Sequence, residues 1–250
     1  MTKIIAVTNQ KGGVGKTTTA ITIAHGLSQH GKKVLLIDFD PQGQCATALG
    51  INPEPCVFNL LITTHQAPAL WVRESGRPDL RLIPSDRTTA TAQAVINAEG
   101  RSFSAVHDAV KPLMQEYDFL IFDTAPSAGG LQERAIWASD LVLIPTATEF
   151  LSSDGLTQIM GTLKQLRETR NWKGKLLGIL PTFFDEQTRE SGSSLEELKS
   201  SFGKTLLSPI HRATILRECA AEGVTVFEKD AKSRAAKEYE KIVTLLLKRA

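Results

Sequence analysis

Residues 11–18 read Lys-Gly-Gly-Val-Gly-Lys-Thr-Thr and stand between an apolar run at 4–8 and a helix-forming stretch at 18–28. That pattern is suited to a nucleoside triphosphate. Gly12, Gly13 and Gly15 remove Cβ atoms where backbone N–H groups must curl around phosphate oxygens, and the following helix points its partial positive end at the same anion. Lys16 is placed to reach the β- and γ-phosphates and Thr17 to ligate Mg²⁺, with Val14 and Thr18 completing the cradle. The usual pattern has a glycine where Gln10 stands; here Lys11 opens the loop instead. A second cation inside a turn built for anions is expected to be a further phosphate contact.

Carboxylates follow at matching places. Asp38 and Asp40 end the run V-L-L-I-D-F-D, and Asp123 ends F-L-I-F-D. In an open parallel sheet ligands collect at the carboxyl ends of the strands, so these groups and the loop are expected to converge on one phosphate. Asp123 would hold Mg²⁺ through a water molecule while Thr17 coordinates it directly, with Asp38 a further candidate for the metal. Any one of these aspartates alone reads better as a helix cap or turn former.

The elements that must position these residues are legible as alternation. Apolar runs at 4–8, 34–38, 80–84, 119–123, 141–145 and 176–183 predict parallel strands, and 18–28, 104–116, 131–138 and 155–168 predict crossover helices. The tail, 193–250, predicts three more helical segments with weak strand signal at 206–210, while 52–55 and 66–78 read as surface connections. The expectation is one α/β domain over residues 1–250, a doubly wound, mostly parallel sheet flanked by helices, with no helix-turn-helix domain ahead of the loop. A chain of 250 residues with 42% hydrophobic content supports one such core. A net charge of +2 announces no nucleic-acid protein by itself. Cys45, Cys56 and Cys219 lie far apart, which argues against a disulfide framework, a zinc site or an iron–sulfur cluster and fits a reducing cytosol. No leader peptide is expected, and no apolar run approaches the ~20 residues of a bilayer span.

The loop K-G-G-x-G-K-[ST] resembles the deviant Walker A motif of the ParA/MinD group of P-loop ATPases. Residues 34–43, V-L-L-I-D-F-D-P-Q-G, resemble the ParA form of switch I, and 119–127, F-L-I-F-D-T-A-P-S, the Walker B strand and switch II. Softer matches at 145–155, 180–185 and 208–212 extend the likeness over residues 3–247. The resemblance implies a P-loop NTPase fold using ATP and Mg²⁺, with Asp40 positioning or deprotonating the attacking water. It implies that Lys11 reaches across a two-fold interface, in an ATP-dependent homodimer, to the partner's nucleotide. Adenine contacts would come from Pro181, Thr182 and Phe183 and from a second segment, 209–211, which runs from Pro209 to His211; no Asn-Lys-x-Asp guanine motif is visible. Further implied are non-specific duplex DNA binding, nucleoid association in the cytoplasm, and a ParB-like or adaptor protein that stimulates hydrolysis. The cargo would be a plasmid, a chromosome origin or a protein organelle such as a carboxysome.

The residues expected on DNA are Arg189, Lys199, Lys204, Arg212, Arg217, Lys229, Lys232 and Arg234. On charge pattern alone, the carboxylates interleaved with them describe a solvated helix face. Two other classes stay open: a MinD-like membrane-associated division-site regulator, for which residues 242–249 offer an apolar and basic end, and a metabolic P-loop synthetase. Residues 128–134 and 219–222 depart from the ParA pattern.

Overall fold

The computed structural model describes residues 1–63, 65–127, 129–148 and 153–249. Residues 128 and 149–152, which fall inside two stretches singled out above, lie outside the described residues.

Runs of Val, Ile and Leu without polar alternation need apolar cover on both faces, and they form a sheet that has it. Its strands are β1 (Lys3–Val7), β2 (Val34–Asp38), β3 (Arg73–Glu74), β4 (Leu80–Ile83), β5 (Phe119–Asp123), β6 (Leu141–Ala147) and β7 (Lys175–Thr182). The spatial order is β3-β4-β2-β5-β1-β6-β7, parallel throughout except for β3 against β4. The helices are α1 (Lys16–Gln29), α2 (Gln44–Ala48), α3 (Cys56–Ile62), α4 (Thr88–Ala98), α5 (Ala105–Val110) and α6 (Gly130–Ala138). After them come α7 (Ser153–Arg170), α8 (Arg189–Phe202), α9 (Thr214–Glu222), α10 (Val226–Asp230) and α11 (Arg234–Arg249).

Successive strand residues point to opposite faces, so the chain builds two cores. Ile4, Ala6, Leu35, Ile37, Leu120 and Phe122 pack under α3 to α8. Ile5, Val7, Val34, Leu36, Phe119 and Ile121 pack under α1, α2 and α9 to α11. In α11, Ile242, Val243 and Leu246 are buried in this second core. The apolar stripe that invited a membrane reading is therefore committed to packing against the sheet and α1. No helix among the described residues is long and apolar enough to cross a membrane.

Several elements depart from the sequence expectation. Helices α2, α3 and α4 were not foreseen: the first two span 5 and 7 residues, too short for a 3.6-residue period to show, and α4 is rich in β-branched Thr, Val and Ile. The helix expected over 104–116 ends as α5 and continues as a 3₁₀ turn, Lys111–Gln115, because Pro112 has no N–H to extend the α-helical ladder. The tail holds four helices rather than three, starting at Arg189. The strand signal at 206–210 yields isolated bridges, Ile179 to Leu206 and Phe184 to His211, and the connection at 66–78 contains the short edge strand β3.

Helices α1 and α11 approach closely at Gly26, where an added Cβ would stand 2.5 Å from Val243 Cγ2 and 3.0 Å from the Phe227 ring. Gly26→Val is expected to destabilise the fold by about 1–3 kcal/mol through overpacking, despite valine's better helix propensity. Urea unfolding midpoints of the two proteins check this; an equal or higher midpoint for the variant would show that the helices can separate at no cost.

Candidate functional site

The loop between β1 and α1 is shaped by its glycines. Gly13 and Gly15 hold φ of 70° and 83°, the left-handed region where side chains are strained, and a Cβ on Gly12 or Gly13 would face open space. Gly15 caps α1 without any side-chain hydrogen bond, so the first N–H groups of a 14-residue helix are left for an anion. Lys16 is buried, and its Nζ donates to the Lys11 carbonyl at 2.8 Å, folded back across the mouth of the loop. Burial lowers its pKa, while the charges of Asp123 and Asp40 oppose the shift. Lys11 is half-buried on the outer rim; its N–H donates to Asn9 Oδ1 at 3.0 Å, and Asn9 is tied to the Pro145 carbonyl at 2.8 Å. A Cβ on Gly155 would come within 3.1 Å of Lys11 Cβ, so α7 presses closely on this part of the loop.

Parallel pairing of β2 with β5 sets Asp38 beside Asp123. Both are fully buried. Asp123 Oδ2 accepts from Thr17 Oγ1 at 2.6 Å and from Cys45 Sγ at 3.3 Å, while its Oδ1 is buried with no partner. Asp38 accepts the N–H groups of Asp40 at 2.9 Å and Cys45 at 3.0 Å. Burial pushes the Asp123 carboxyl up to about 6, with the bonds from Thr17 and Cys45 pulling the other way. Asp38 is driven well above the ordinary carboxylate range by burial and then by the charge of Asp123. An orphaned carboxylate oxygen beside a threonine hydroxyl is a donor set that fits a hard cation such as Mg²⁺. Asp40 follows, half-exposed: its Oδ1 accepts the Gln42 N–H at 3.0 Å and its carbonyl accepts Ser85 Oγ at 2.7 Å. Gly43 closes this turn at φ 63°, with no room for a Cβ, which would fall 2.5 Å from the Ser85 carbonyl.

Beside the loop lies a pocket of about 310 Å³ lined by Gly15, Thr18, Thr182, Phe183, Ile210, His211, Ala213 and Leu216 among others. Of the residues expected to meet a base, Thr182 and Phe183 line it, whereas Pro181 and Pro209 do not. Pro181 instead offers its carbonyl to the Ile210 N–H at 2.9 Å. Thr182 Oγ1 donates to the Val14 carbonyl at 2.9 Å, and Phe183 holds φ of 55°, which lays its ring within 3.7 Å of the Cβ position of Gly15.

The basic residues expected on DNA separate into groups. Arg212 and Arg217 share a cleft with Lys11, Gly12 and Gly13 at the mouth of the loop. Lys229 pairs with Glu218 and Glu222, Arg234 with Glu186 and Glu238, and Lys199 with Glu196. Arg189, Lys204 and Lys232 are exposed. Sequence reading missed Asn9, Cys45 and Leu216 as parts of the site. Asn9 directly precedes the deviant loop residues and Cys45 follows Pro-Gln-Gly by two, but neither position bears a period or a charge that marks it.

A family model described as an AAA domain matches residues 2–176. The chain is 35% identical over 253 residues to the chromosome partitioning protein ParA of Myxococcus xanthus, covering 99% of this chain and 88% of that protein. Apo McdA from Cyanothece superposes with a TM-score of 0.89 at 25% identity, over 99% of this chain and 100% of that one. Cobyrinic acid a,c-diamide synthase from Mycobacterium smegmatis, solved with an ATP analogue and magnesium, superposes with a TM-score of 0.88 at 30% identity, over 100% of this chain and 95% of that one.

The buried carboxyl at Asp123 has a consequence for stability. Its folded pKa, about 6, lies above its ordinary 3.8, so the fold binds its proton more tightly than the unfolded chain does. Ionised Asp123 therefore costs stability in full above pH 6, and the cost fades as pH falls towards 4. In nucleotide-free protein with a chelator present, Asp123→Asn is expected to be about 1–2 kcal/mol more stable than wild type at pH 8. The gap should close between pH 6 and 4. Urea titrations across that range check it, and a variant less stable at pH 8 would contradict it.

Proposed function

The chain belongs to the ParA/MinD group of P-loop ATPases, and on that footing we propose that it is a positioning ATPase that dimerises on ATP, holds duplex DNA without sequence preference, and releases on partner-stimulated hydrolysis. The observation that carries this reading is the division of labour between two lysines of one loop. Lys16 is buried on the inner side, under the charge of Asp123 and Asp40, whereas Lys11 sits half-buried on the outer rim beside Arg212 and Arg217. An inner lysine serves the chain's own triphosphate. An outer one is placed for a second molecule's phosphates, the logic of an arginine finger supplied by a twin.

In this reading the N–H groups of residues 12–17 and Lys16 Nζ hold the β- and γ-phosphates, Lys16 leaving the Lys11 carbonyl as nucleotide enters. Thr17 and Asp123 hold Mg²⁺, with Asp38 behind them fixing the turn that carries Asp40. Mg²⁺ held there would offset the negative charge that develops on the transferring phosphoryl group. Asp40 orients the attacking water and accepts its proton, because it is the half-exposed member of the carboxylate group while Asp38 and Asp123 are sealed. The pocket at Thr182 and Phe183 takes the base, held there by ring contact and by the close approach at Gly15.

Exposed Arg189, Lys204 and Lys232 are the basic residues best placed for DNA phosphates, since Lys229 and Arg234 already face carboxylates. The cargo, the stimulating ParB-like or adaptor partner and nucleoid association come from the kinship with ParA. A small-molecule synthetase reading has one observation in its favour, the likeness to the diamide synthase. Burial of the α11 stripe weighs against a membrane anchor.

Co-sedimentation with plasmid DNA under ATP, ADP and no nucleotide, at two salt concentrations, tests the proposal. Binding is expected with ATP alone, with dissociation constants on the order of 10⁻⁴ to 10⁻⁶ M that weaken as salt rises. Nucleotide-independent binding, or hydrolysis that responds to a small acceptor and not to DNA, would overturn it. By light scattering with ATP, Lys11→Ala is expected to remain monomeric and Asp40→Ala to dimerise. Asp40→Ala should hydrolyse roughly 10²- to 10⁴-fold more slowly, the range of a lost general base.

A further inference from the structure

The hydrolysis chemistry has no use for sulfur, yet a thiol lies against its metal carboxylate. Cys45 Sγ is 3.3 Å from Asp123 Oδ2, and the Cys45 N–H donates to Asp38 Oδ2 at 3.0 Å. Asp38 and Cys45 are 0% exposed and Asp123 is 1% exposed. One donor atom from each lies within 4.8 Å of the other two. Independently of that cluster, Asp123 Oδ1 is buried with no hydrogen-bond partner, so the central carboxylate has an oxygen left to coordinate.

The spacing suits a particular kind of ion. Zn²⁺ binds sulfur at about 2.3 Å and carboxylate oxygen at about 2.0–2.2 Å in tetrahedral geometry, which sets ligand atoms roughly 3.4–3.6 Å apart. The observed sulfur-to-oxygen distance of 3.3 Å is close to that, and a donor atom of Asp38 lies within 4.8 Å of both. Mg²⁺ draws no benefit from the thiol, because it is a hard ion that takes oxygen, whereas thiolate selects softer metals. The spacing of the cysteines argued against a zinc site; strand pairing, which that spacing does not show, sets two carboxylates beside one of them.

We propose that Asp38, Cys45 and Asp123 form a binding site for a soft divalent cation of the Zn²⁺ class, which when filled withdraws Asp123 from the Mg²⁺ site. On binding, a sulfur lone pair forms the metal–thiolate bond, the thiol proton leaves to solvent and the ion sheds coordinated water. Two carboxylates and one thiolate then face a charge of +2, which removes the repulsion between Asp38 and Asp123. Asp123, turned towards the ion so that the unpartnered Oδ1 coordinates together with Oδ2, no longer accepts from Thr17, and the pair that would hold Mg²⁺ is broken. This last consequence rests on the ATPase reading above; the metal site does not.

Titration of nucleotide-free, chelator-stripped protein with Cd²⁺ tests the site through the ultraviolet thiolate-to-cadmium charge-transfer band. The band is expected in wild type, in Cys56→Ala and in Cys219→Ala, and is expected to be lost in Cys45→Ala. Cys45→Ser, which keeps the size of the side chain, serves if the alanine variant does not fold. Zn²⁺ affinity, read for both proteins by competition with a chromophoric zinc chelator, should be at least 10- to 100-fold tighter for wild type than for Cys45→Ser, the loss that disturbing even an outer partner of a metal ligand brings. A band that persists without Cys45, or never appears in wild type, overturns the site. In a Mg²⁺-ATP assay, wild type should be inhibited at Zn²⁺ concentrations lower by the same factor, and equal sensitivity of the two proteins overturns the withdrawal of Asp123. A Cys45-dependent band in a protein that hydrolyses no ATP would overturn the ATPase reading and leave the metal site standing.

Discussion

Two carboxylates held side by side out of water are the constraint on which this structure turns. Parallel register places Asp38 of β2 opposite Asp123 of β5, and both are sealed. Among the described residues neither forms an ion pair with a lysine or arginine; they are held by hydroxyl, thiol and backbone N–H donors. Burial favours the protonated acid at both, and the charge of Asp123 adds to it at Asp38. A fold keeps such a pair only where the rest of the structure over-determines it. Here two apolar cores, one on each face of the sheet, hold the strands that carry it.

The positive half of the site is arranged with equal economy. Helix α1 begins at a left-handed glycine with no side-chain cap, so its orphan donors face the same space as the buried carboxylates. Lys16 is held by burial on one side and by Asp123 and Asp40 on the other. Its bond to the Lys11 carbonyl is a local substitute for a phosphate oxygen. A polyphosphate with a divalent ion supplies at once what each half lacks: acceptors for the N–H groups and Lys16, and positive charge for the aspartates.

Much of this was legible in the chain because it is local. The glycine spacing, the two lysines and the aspartates at the ends of apolar runs are short-range signals, and the sheet strands carry them as continuous Val, Ile and Leu segments. What was hidden depends on pairing. Nothing in the spacing of Cys45 announces that register between β2 and β5 will bring its sulfur against Asp123, 78 residues away. Two segments were placed near a base by kinship, 181–183 and 209–211; Thr182, Phe183, Ile210 and His211 line the pocket, and the proline that opens each segment does not. Short helices such as α2 and the turn at Pro112 escaped because their fate is set by what they pack on or by a single missing donor.

The same pairing explains how a change at the phosphates would travel. Asp38 accepts the Asp40 N–H, the Asp40 carbonyl accepts Ser85, and Gly43 packs against the Ser85 backbone, so the switch segment after β2 is tied to the end of β4. On the other side Thr124 donates to the Val7 carbonyl, and Gln132 of α6 donates to Thr8 and to the Ala125 carbonyl. The first segment leads into α2, which Gly43 caps, and the second is held by Gln132 of α6. Ligands that relieve the pair act on both segments together, since neither can move without disturbing hydrogen bonds anchored at Asp38 or at the end of β1.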